Sequence, residues 1–167
     1  MPDATLLELL YGKGAHTNSV ACVQDVSFDL SGRCSDSFPH SIFQLLSHMN
    51  YWMTYELRRI NRENPSYPVH ASESWPTAPS PASESDWQAA IANFKELLAN
   101  FSRIGGSSPE VLSTQIRPAN PSQEALSGSV HAILWQIVVH NSYHLGQIAM
   151  LRRALGAWPP VGGGDTW

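Results

Sequence analysis

Hydrophobic residues recur at steps of three and four along most of the chain, and no stretch shows the strict alternation that is typical of strands. The most regular stripe consists of Ile42, Leu45, Met49, Trp52, Met53, Leu57 and Ile60. Ser41 precedes this stripe and Gln44 follows three residues later, a spacing that favours a capping box. The pattern predicts a helix that runs from Ser41 to about Arg62 and ends before Pro65.

A second stripe predicts another helix later in the chain. Its members are Trp87, Ile91, Phe94, Leu98 and Phe101. Ser85 and Gln88 are spaced for a capping box at its start, and Gly105 and Gly106 predict its end. Between these two helices, residues 64–82 contain five prolines, so we expect a long irregular crossover.

The two ends of the chain also have helical patterns. The first stretch covers about Thr5 to Leu30, and Gly12 and Gly14 are expected to interrupt it. The last stretch is predicted to begin near Ser127 or Ser129, after a loop that contains Pro109, Pro118 and Pro121, and to end at Leu155. Gly156 suits a left-handed cap and Pro159 a stop. Four helical stretches with long connections predict an all-α four-helix bundle in one domain, 1–167.

Composition narrows the classes of function. A formal charge of −4 gives no electrostatic basis for binding DNA, RNA or an anionic membrane. No run approaches the roughly 18 apolar residues of a membrane span, and the first residues lack the pattern of a signal peptide. Cys22 and Cys34 are too few for a cysteine-rich zinc site. We expect reduced thiols in a cytoplasmic protein, with a single disulfide as the alternative.

The seven histidines are the unusual feature, and two of them lie on the inward stripe of the last helix. That stripe is Val130, Ile133, Ile137, His140, His144, Gln147 or Ile148, Leu151 and Leu155. Burying a polar group without a partner costs about 1–3 kcal/mol, so these imidazoles need something to satisfy them. Residues four apart project from one helix face, which allows both rings to bind a single divalent metal ion.

His48 is the best candidate for a third ligand, because it lies mid-way along the second helix beside Leu45 and Trp52. Three neutral imidazoles would leave open positions on the ion for water or substrate. Zinc, nickel and Fe(II) all suit imidazole, and the sequence does not choose among them. Taken alone, an H-x-x-x-H pair can instead be two surface or hydrogen-bonded histidines. Asn141 stands where H-E-x-x-H has its glutamate, which disfavours peptidase chemistry.

Other polar and aromatic residues are candidates for roles around the ligands or in a pocket. These are Trp52, Tyr55, Asn141, Tyr143 and Gln147, together with Tyr51. For Trp52 the default is core packing, with a pocket role as the alternative, and Tyr55 is the best placed of the tyrosines.

The remaining histidines and the arginine pairs are expected to be peripheral. His131 is expected on the solvated side of its helix and His70 in an exposed loop. The default for His16 and His40 is a loop or cap position, with the mouth of a pocket as the alternative. The pairs Arg58–Arg59 and Arg152–Arg153 are interpreted as solvated faces.

The segments PHSIFQLLSHMNYW and HNSYHLGQIAMLRRALG, in that order, resemble the DinB superfamily of DinB/YfiT-like metalloenzymes. The resemblance extends over nearly the whole chain, including the tail with Trp158, Pro159 and Trp167. It implies a four-helix bundle with a long crossover between helices 2 and 3. It also implies a metal held by one histidine of the second helix and two of the last, here His48, His140 and His144.

The sequence departs from the family pattern at two positions beside the ligands. Many relatives have a further histidine where this chain has Tyr143, and position 141 is often glutamate rather than Asn141. Neither change removes a ligand, but both alter the surroundings of the ion. Characterised relatives include thiol S-transferases that use bacillithiol or mycothiol. The resemblance therefore implies a small-molecule detoxification enzyme with a low-molecular-weight thiol as co-substrate.

Two alternatives stay open beside the thiol S-transferase. One is a metal-dependent hydrolase that uses metal-bound water, and the other is a non-catalytic bundle with a structural or sensory ion. A homodimer is also expected, because bundles of this family often pair.

Overall fold

The hydrophobic stripes form three long helices and a short first helix, which pack around a single core. The structure is a computed structural model and describes residues 4–118 and 127–162. Its elements in chain order are α1 (Ala4–Leu10), α2 (Ala21–Gln24), α3 (Phe28–Ser31), α4 (Ile42–Ile60), a 3-10 helix (Ala71–Ser74), α5 (Glu84–Gly105), α6 (Pro109–Ser113), β1 (Gln115–Ile116), β2 (Gly128–Ser129) and α7 (Val130–Ala154). This is the all-α architecture that the sequence predicts.

The start of α4 confirms the predicted capping box. The Ser41 hydroxyl accepts the backbone N–H of Gln44 at 3.1 Å, and the Gln44 side-chain oxygen accepts the backbone N–H of Ser41 at 3.0 Å. The same two side chains donate to carbonyls of the crossover, Ser41 to Pro79 and Gln44 to Pro76. The cap therefore anchors the loop that follows the helix as well as the helix itself.

The predicted capping box of Ser85 and Gln88 is wrong. The residue that caps α5 is Ser83, whose backbone is extended and whose hydroxyl accepts the N–H of Asp86 at 3.2 Å. Glu84 and Asp86 then lie in the first turn, where carboxylates are favoured by the partial positive charge of the helix N-terminus. The predicted end at Gly105 and Gly106 is confirmed.

The first stretch is much less helical than its pattern predicts. The first helix ends at Leu10, and Gly12 and Gly14 adopt φ values of +82° and +79°, which an α-helix does not contain. Only two four-residue helices, α2 and α3, follow before α4. The inner face of α1 still packs on α5 and α7, so this short helix completes the bundle.

The last helix matches its prediction closely. Ser129 caps α7 through the N–H of Ala132, and Gly156 has φ +71° just beyond the helix end. Two residues on each side of the preceding loop form a short antiparallel ladder, β1 with β2, which the hydrophobic pattern did not predict. Pro121, expected in that loop, and Trp167 lie outside the described residues.

The interpretation of Arg152 as solvated is wrong. Its side chain is 3% exposed and donates to both carboxylate oxygens of Asp25, at 2.8 and 3.2 Å, and to the carbonyls of Cys22 and Ala157. Asp25 also accepts the backbone N–H of Val161. We call this group, centred on Arg152 and Asp25, the Arg152 clasp; it fixes the end of α7 to the segment after α2.

The two cysteines carry free thiols, Cys22 buried and Cys34 exposed. Burial raises the pKa of the Cys22 thiol to about 12. Within residues 4–118 and 127–162, no helix combines the length and the apolar character that crossing a bilayer requires.

Candidate metal centre

Helices α4 and α7 bring His48, His140 and His144 together. One ring nitrogen from each histidine lies within 4.8 Å of the others, and the Nε2 atoms of His48 and His140 are 3.2 Å apart. Two imidazole ligands of a tetrahedral zinc ion, each about 2.0–2.1 Å from the metal, lie about 3.3 Å from one another. The observed spacing therefore fits three ligands of one ion.

Hydrogen bonds orient two of these rings. The Nδ1 of His48 donates to the carbonyl of Ser74 at 3.3 Å, and the Nδ1 of His144 donates to the side-chain oxygen of Gln147 at 2.7 Å. A histidine that donates from Nδ1 keeps its lone pair on Nε2, the atom available to a metal. In His140 the buried Nδ1 has no hydrogen-bond partner among the described residues.

The electrostatics keep the histidines neutral. Burial, together with the neighbouring His144 and His140, lowers the pKa of His48 to about 4. Burial, with His144 nearby, lowers the pKa of His140 to about 4 as well. The pKa of His144 is also lowered, again chiefly by burial. Neutral imidazole is the form that binds metal, so the site is ready for an ion at neutral pH.

The fold and this histidine arrangement agree with a family comparison. A sequence model of the DinB family matches residues 15–162, most of the chain. The chain belongs to the DinB family. A comparison with curated proteins found no match.

In this DinB-family chain, the candidate metal centre includes an aromatic residue that the sequence analysis did not identify. Trp75, in the crossover, stacks on His48 with ring centroids 3.8 Å apart and on His40 at 4.0 Å. The 3-10 helix Ala71–Ser74 thus supplies a hydrogen-bond acceptor for His48 through Ser74, and the next residue, Trp75, supplies a flat apolar contact. The sequence offered one signal for this role, namely a tryptophan within a polar, proline-rich loop.

The residues proposed to surround the ligands differ in their burial and in their contacts with the histidines. Gln147 contacts His144 directly, Asn141 is buried and donates to the sulfur of Met53, and Trp52 packs edge-on to His48 with centroids 6.4 Å apart. Tyr143 is 65% exposed, with its ring 5.0 Å from that of His144. Tyr55 contacts the rings of Trp52 and Tyr67, and it is linked to His48 through Trp52.

The other histidines lie outside the cluster of three. His40 belongs to its edge through Trp75, whereas His16 bonds Ser142 at 3.0 Å. His131 accepts from the indole of Trp135, and His70 is exposed, as expected.

A cavity of about 290 Å³ lies between α4 and α7, and His140 is part of its wall. Its walls include Trp52, Tyr67, Ile133, Ile137, Gln136, Ala132, Ser127 and Gly128, and the buried pair Glu56 and Arg59. The interpretation of Arg59 as solvated is therefore wrong, since its side chain is 6% exposed. Its Nη1 donates to both carboxylate oxygens of Glu56, at 3.0 and 2.8 Å.

Proposed function

We propose that this DinB-family protein binds one divalent metal ion through His48, His140 and His144. The single observation that carries the proposal is the convergence of three neutral imidazoles, of which His140 also lines a cavity. Zinc, nickel and Fe(II) are all compatible with this donor set.

The proposed reaction is transfer of a low-molecular-weight thiol to a small electrophile. Three neutral ligands leave the full charge of the ion, which would lower the pKa of a thiol in an open position and supply thiolate at neutral pH. In the transfer, a bond forms between the thiol sulfur and an electrophilic carbon of the substrate. The leaving group departs with the bonding electrons. The cavity beside His140 gives the electrophile a place to bind.

The residues of this chain contribute positioning. Ser74 and Gln147 accept from Nδ1 of His48 and of His144, which would leave Nε2 of each ring available to an ion, and Trp75 covers one face of His48. Asn141, where many relatives have glutamate, places no carboxylate on this part of α7. This absence of an adjacent base favours a thiol over a water nucleophile, because a thiol needs less help to lose its proton at neutral pH.

The metal is tested first by measuring zinc, nickel and iron in the purified protein and in His144→Ala. We expect one divalent ion per chain in the wild type and none in the variant. His131→Ala is the matched control, since His131 lies on the same helix but outside the cluster. A wild type that takes up none of these ions would contradict the proposed site.

The reaction is tested with an activated aryl chloride and a panel of low-molecular-weight thiols. We expect chloride release that requires both a thiol and the metal. Chloride release without thiol would instead support hydrolysis, and a tightly bound ion with neither activity would support a structural or sensory role. Pairing of two copies and a cytoplasmic location stay predictions.

A further inference from the structure

The cavity contains a polar feature that lies away from the histidines. Glu56 and Arg59 are 4% and 6% exposed, and they form part of its wall rather than packing within the apolar core. Glu56 lies eight residues after His48 on α4, which places it about 12 Å farther along the helix axis. The pair is therefore at the opposite end of the cavity from the proposed ion.

The hydrogen bonds of Glu56 leave acceptor capacity on its carboxylate. Both oxygens accept from the same nitrogen, Nη1 of Arg59. A carboxylate offers about four lone-pair sites, so each oxygen can accept a second donor. The hydroxyl of Ser127, which lines the same cavity, is buried and has no partner among the described residues.

The walls beside Glu56 are aromatic. Trp52 and Tyr67 both line the cavity, and their ring centroids are 5.6 Å apart. Aromatic faces attract organic cations, and a carboxylate accepts charge-assisted hydrogen bonds from an ammonium group. Burial raises the pKa of Glu56 against the opposing effect of Arg59. A second cation would therefore stabilise the charged carboxylate.

We propose that the Glu56 end of the cavity binds a primary ammonium group of a small, partly apolar ligand. In the thiol-transfer reaction, on whose assignment this extension rests, the ammonium would belong to the part of a substrate farthest from the reacting atom. The ligand would then span the cavity, with its apolar portion against Trp52 and Ile137. Glu56 acts here as a specificity-determining residue.

The test compares three probes of equal length: phenylpropylamine, phenylpropanol and phenylpropionate. Binding to the full chain is measured by isothermal titration calorimetry, with and without added zinc. We expect the amine to bind at least about tenfold more tightly than the alcohol, the gain expected from a hydrogen bond to a charged group. We expect Glu56→Gln to remove that preference.

The matched control is Glu63→Gln, because Glu63 is an exposed carboxylate that pairs with Arg58 on the surface. Equal affinity for amine and alcohol, or tighter binding of the carboxylate probe, would overturn the proposal. So would an amine preference that survives in Glu56→Gln. Since the arm without zinc needs neither metal nor thiol, these results are independent of whether the transferase assignment holds.

A second variant covers the case in which Glu56→Gln does not fold. Ala132 is exposed on α7 and lines the cavity, so Ala132→Trp would fill the space without touching the ion pair. We expect it to abolish binding of the amine. Unchanged binding would place the amine elsewhere and refute the site.

Discussion

Two arginine–carboxylate pairs, each with a buried guanidinium group, lie in different parts of the molecule, and their surroundings differ. In the Arg152 clasp, the guanidinium donates to Asp25 and to two backbone carbonyls, and Asp25 accepts a further backbone N–H. In the other pair, a single nitrogen of Arg59 donates to both oxygens of Glu56 beside a cavity.

The pKa values of the two carboxyl groups reflect this difference. Burial alone would raise the pKa of Asp25, but hydrogen bonds from Arg152 and Val161 and the charge of Arg152 outweigh burial and lower it. For Glu56 burial prevails over Arg59, and the pKa is raised. The clasp is thus satisfied by the protein itself, whereas the histidine centre and Glu56 have capacity for a ligand.

The substitution with the largest expected effect is Arg152→Met, which removes one partner of the clasp and tests whether the two regions are independent. We expect the free energy of unfolding to fall by about 3 kcal/mol, because the carbonyls of Cys22 and Ala157 and the carboxylate of Asp25 lose a charged hydrogen-bond donor. Urea denaturation measures the loss, and Arg33→Met, at an exposed arginine, serves as control. Zinc content of the folded fraction should not change; a parallel loss of zinc would show that the two regions are coupled.

Lowering the pH should affect the histidine centre before the clasp. The pKa values of His48 and His140 in the folded chain are lowered to about 4 from the ordinary value of 6.5, so protonation favours the unfolded chain as the pH falls below 6.5. Their contribution is complete above that pH. We expect the metal-free protein to lose about 2–3 kcal/mol between pH 7 and 5.

Over the same range Asp25 stays ionised, because Arg152 and the backbone N–H of Val161 hold its pKa below its ordinary value, and its contribution is lost only at lower pH. Denaturation at a series of pH values measures this separation. A flat stability profile from pH 7 to 5 would contradict the neutral histidine cluster.

Adding or removing metal should change the stability contributed by the histidine centre and leave that of the clasp unchanged. An ion that binds only the folded chain stabilises it by about 2.7 kcal/mol at a free concentration 100 times its dissociation constant. We expect this shift on adding zinc to the wild type and to Arg152→Met, and no shift for His144→Ala. Thermal unfolding with zinc or with chelator is the measurement. Stabilisation of His144→Ala equal to that of the wild type would mean that zinc binds elsewhere.

The smallest expected effect concerns the residue that orients a ligand. Gln147→Leu removes the acceptor for the Nδ1 of His144 and should weaken zinc binding about tenfold, at the low end for such partners. Competition with a chromophoric chelator measures the change. Gln136→Leu, on the same helix but not bonded to a ligand, should bind zinc as the wild type does.

Much of the fold could be predicted because local signals agree with tertiary packing in α4, α5 and α7. Their stripes match the buried faces, and Ser41 and Gly156 mark helix boundaries by their own local chemistry. In the first stretch the predicted interruption at Gly12 and Gly14 is confirmed by their left-handed conformations, but the helical pattern beyond them corresponds only to the short helices α2 and α3. A stripe alone does not distinguish one long helix from three short ones.

For the candidate site, the sequence predicts the positions of the three histidines from local patterns. His140 and His144 are four residues apart on α7, and His48 lies beside the hydrophobic stripe of α4. The sequence does not reveal Trp75 or the pair of Glu56 and Arg59. Trp75 reaches His48 only through the path of the crossover, and a charged pair three residues apart on a helix looks the same whether solvated or buried. Burial of that pair depends on which helix packs opposite, and this is a property of the whole fold.

The separation of His48 and His140 along the chain has a kinetic consequence. Their facing nitrogens are 92 residues apart in sequence, so a shared ion would close a loop of more than half the chain. Closure of so long a loop costs conformational entropy and occurs late in folding, after α4 and α7 have docked. Bound metal would therefore act mainly on the rate of unfolding, as a reversible cross-link that must be released before the two helices separate.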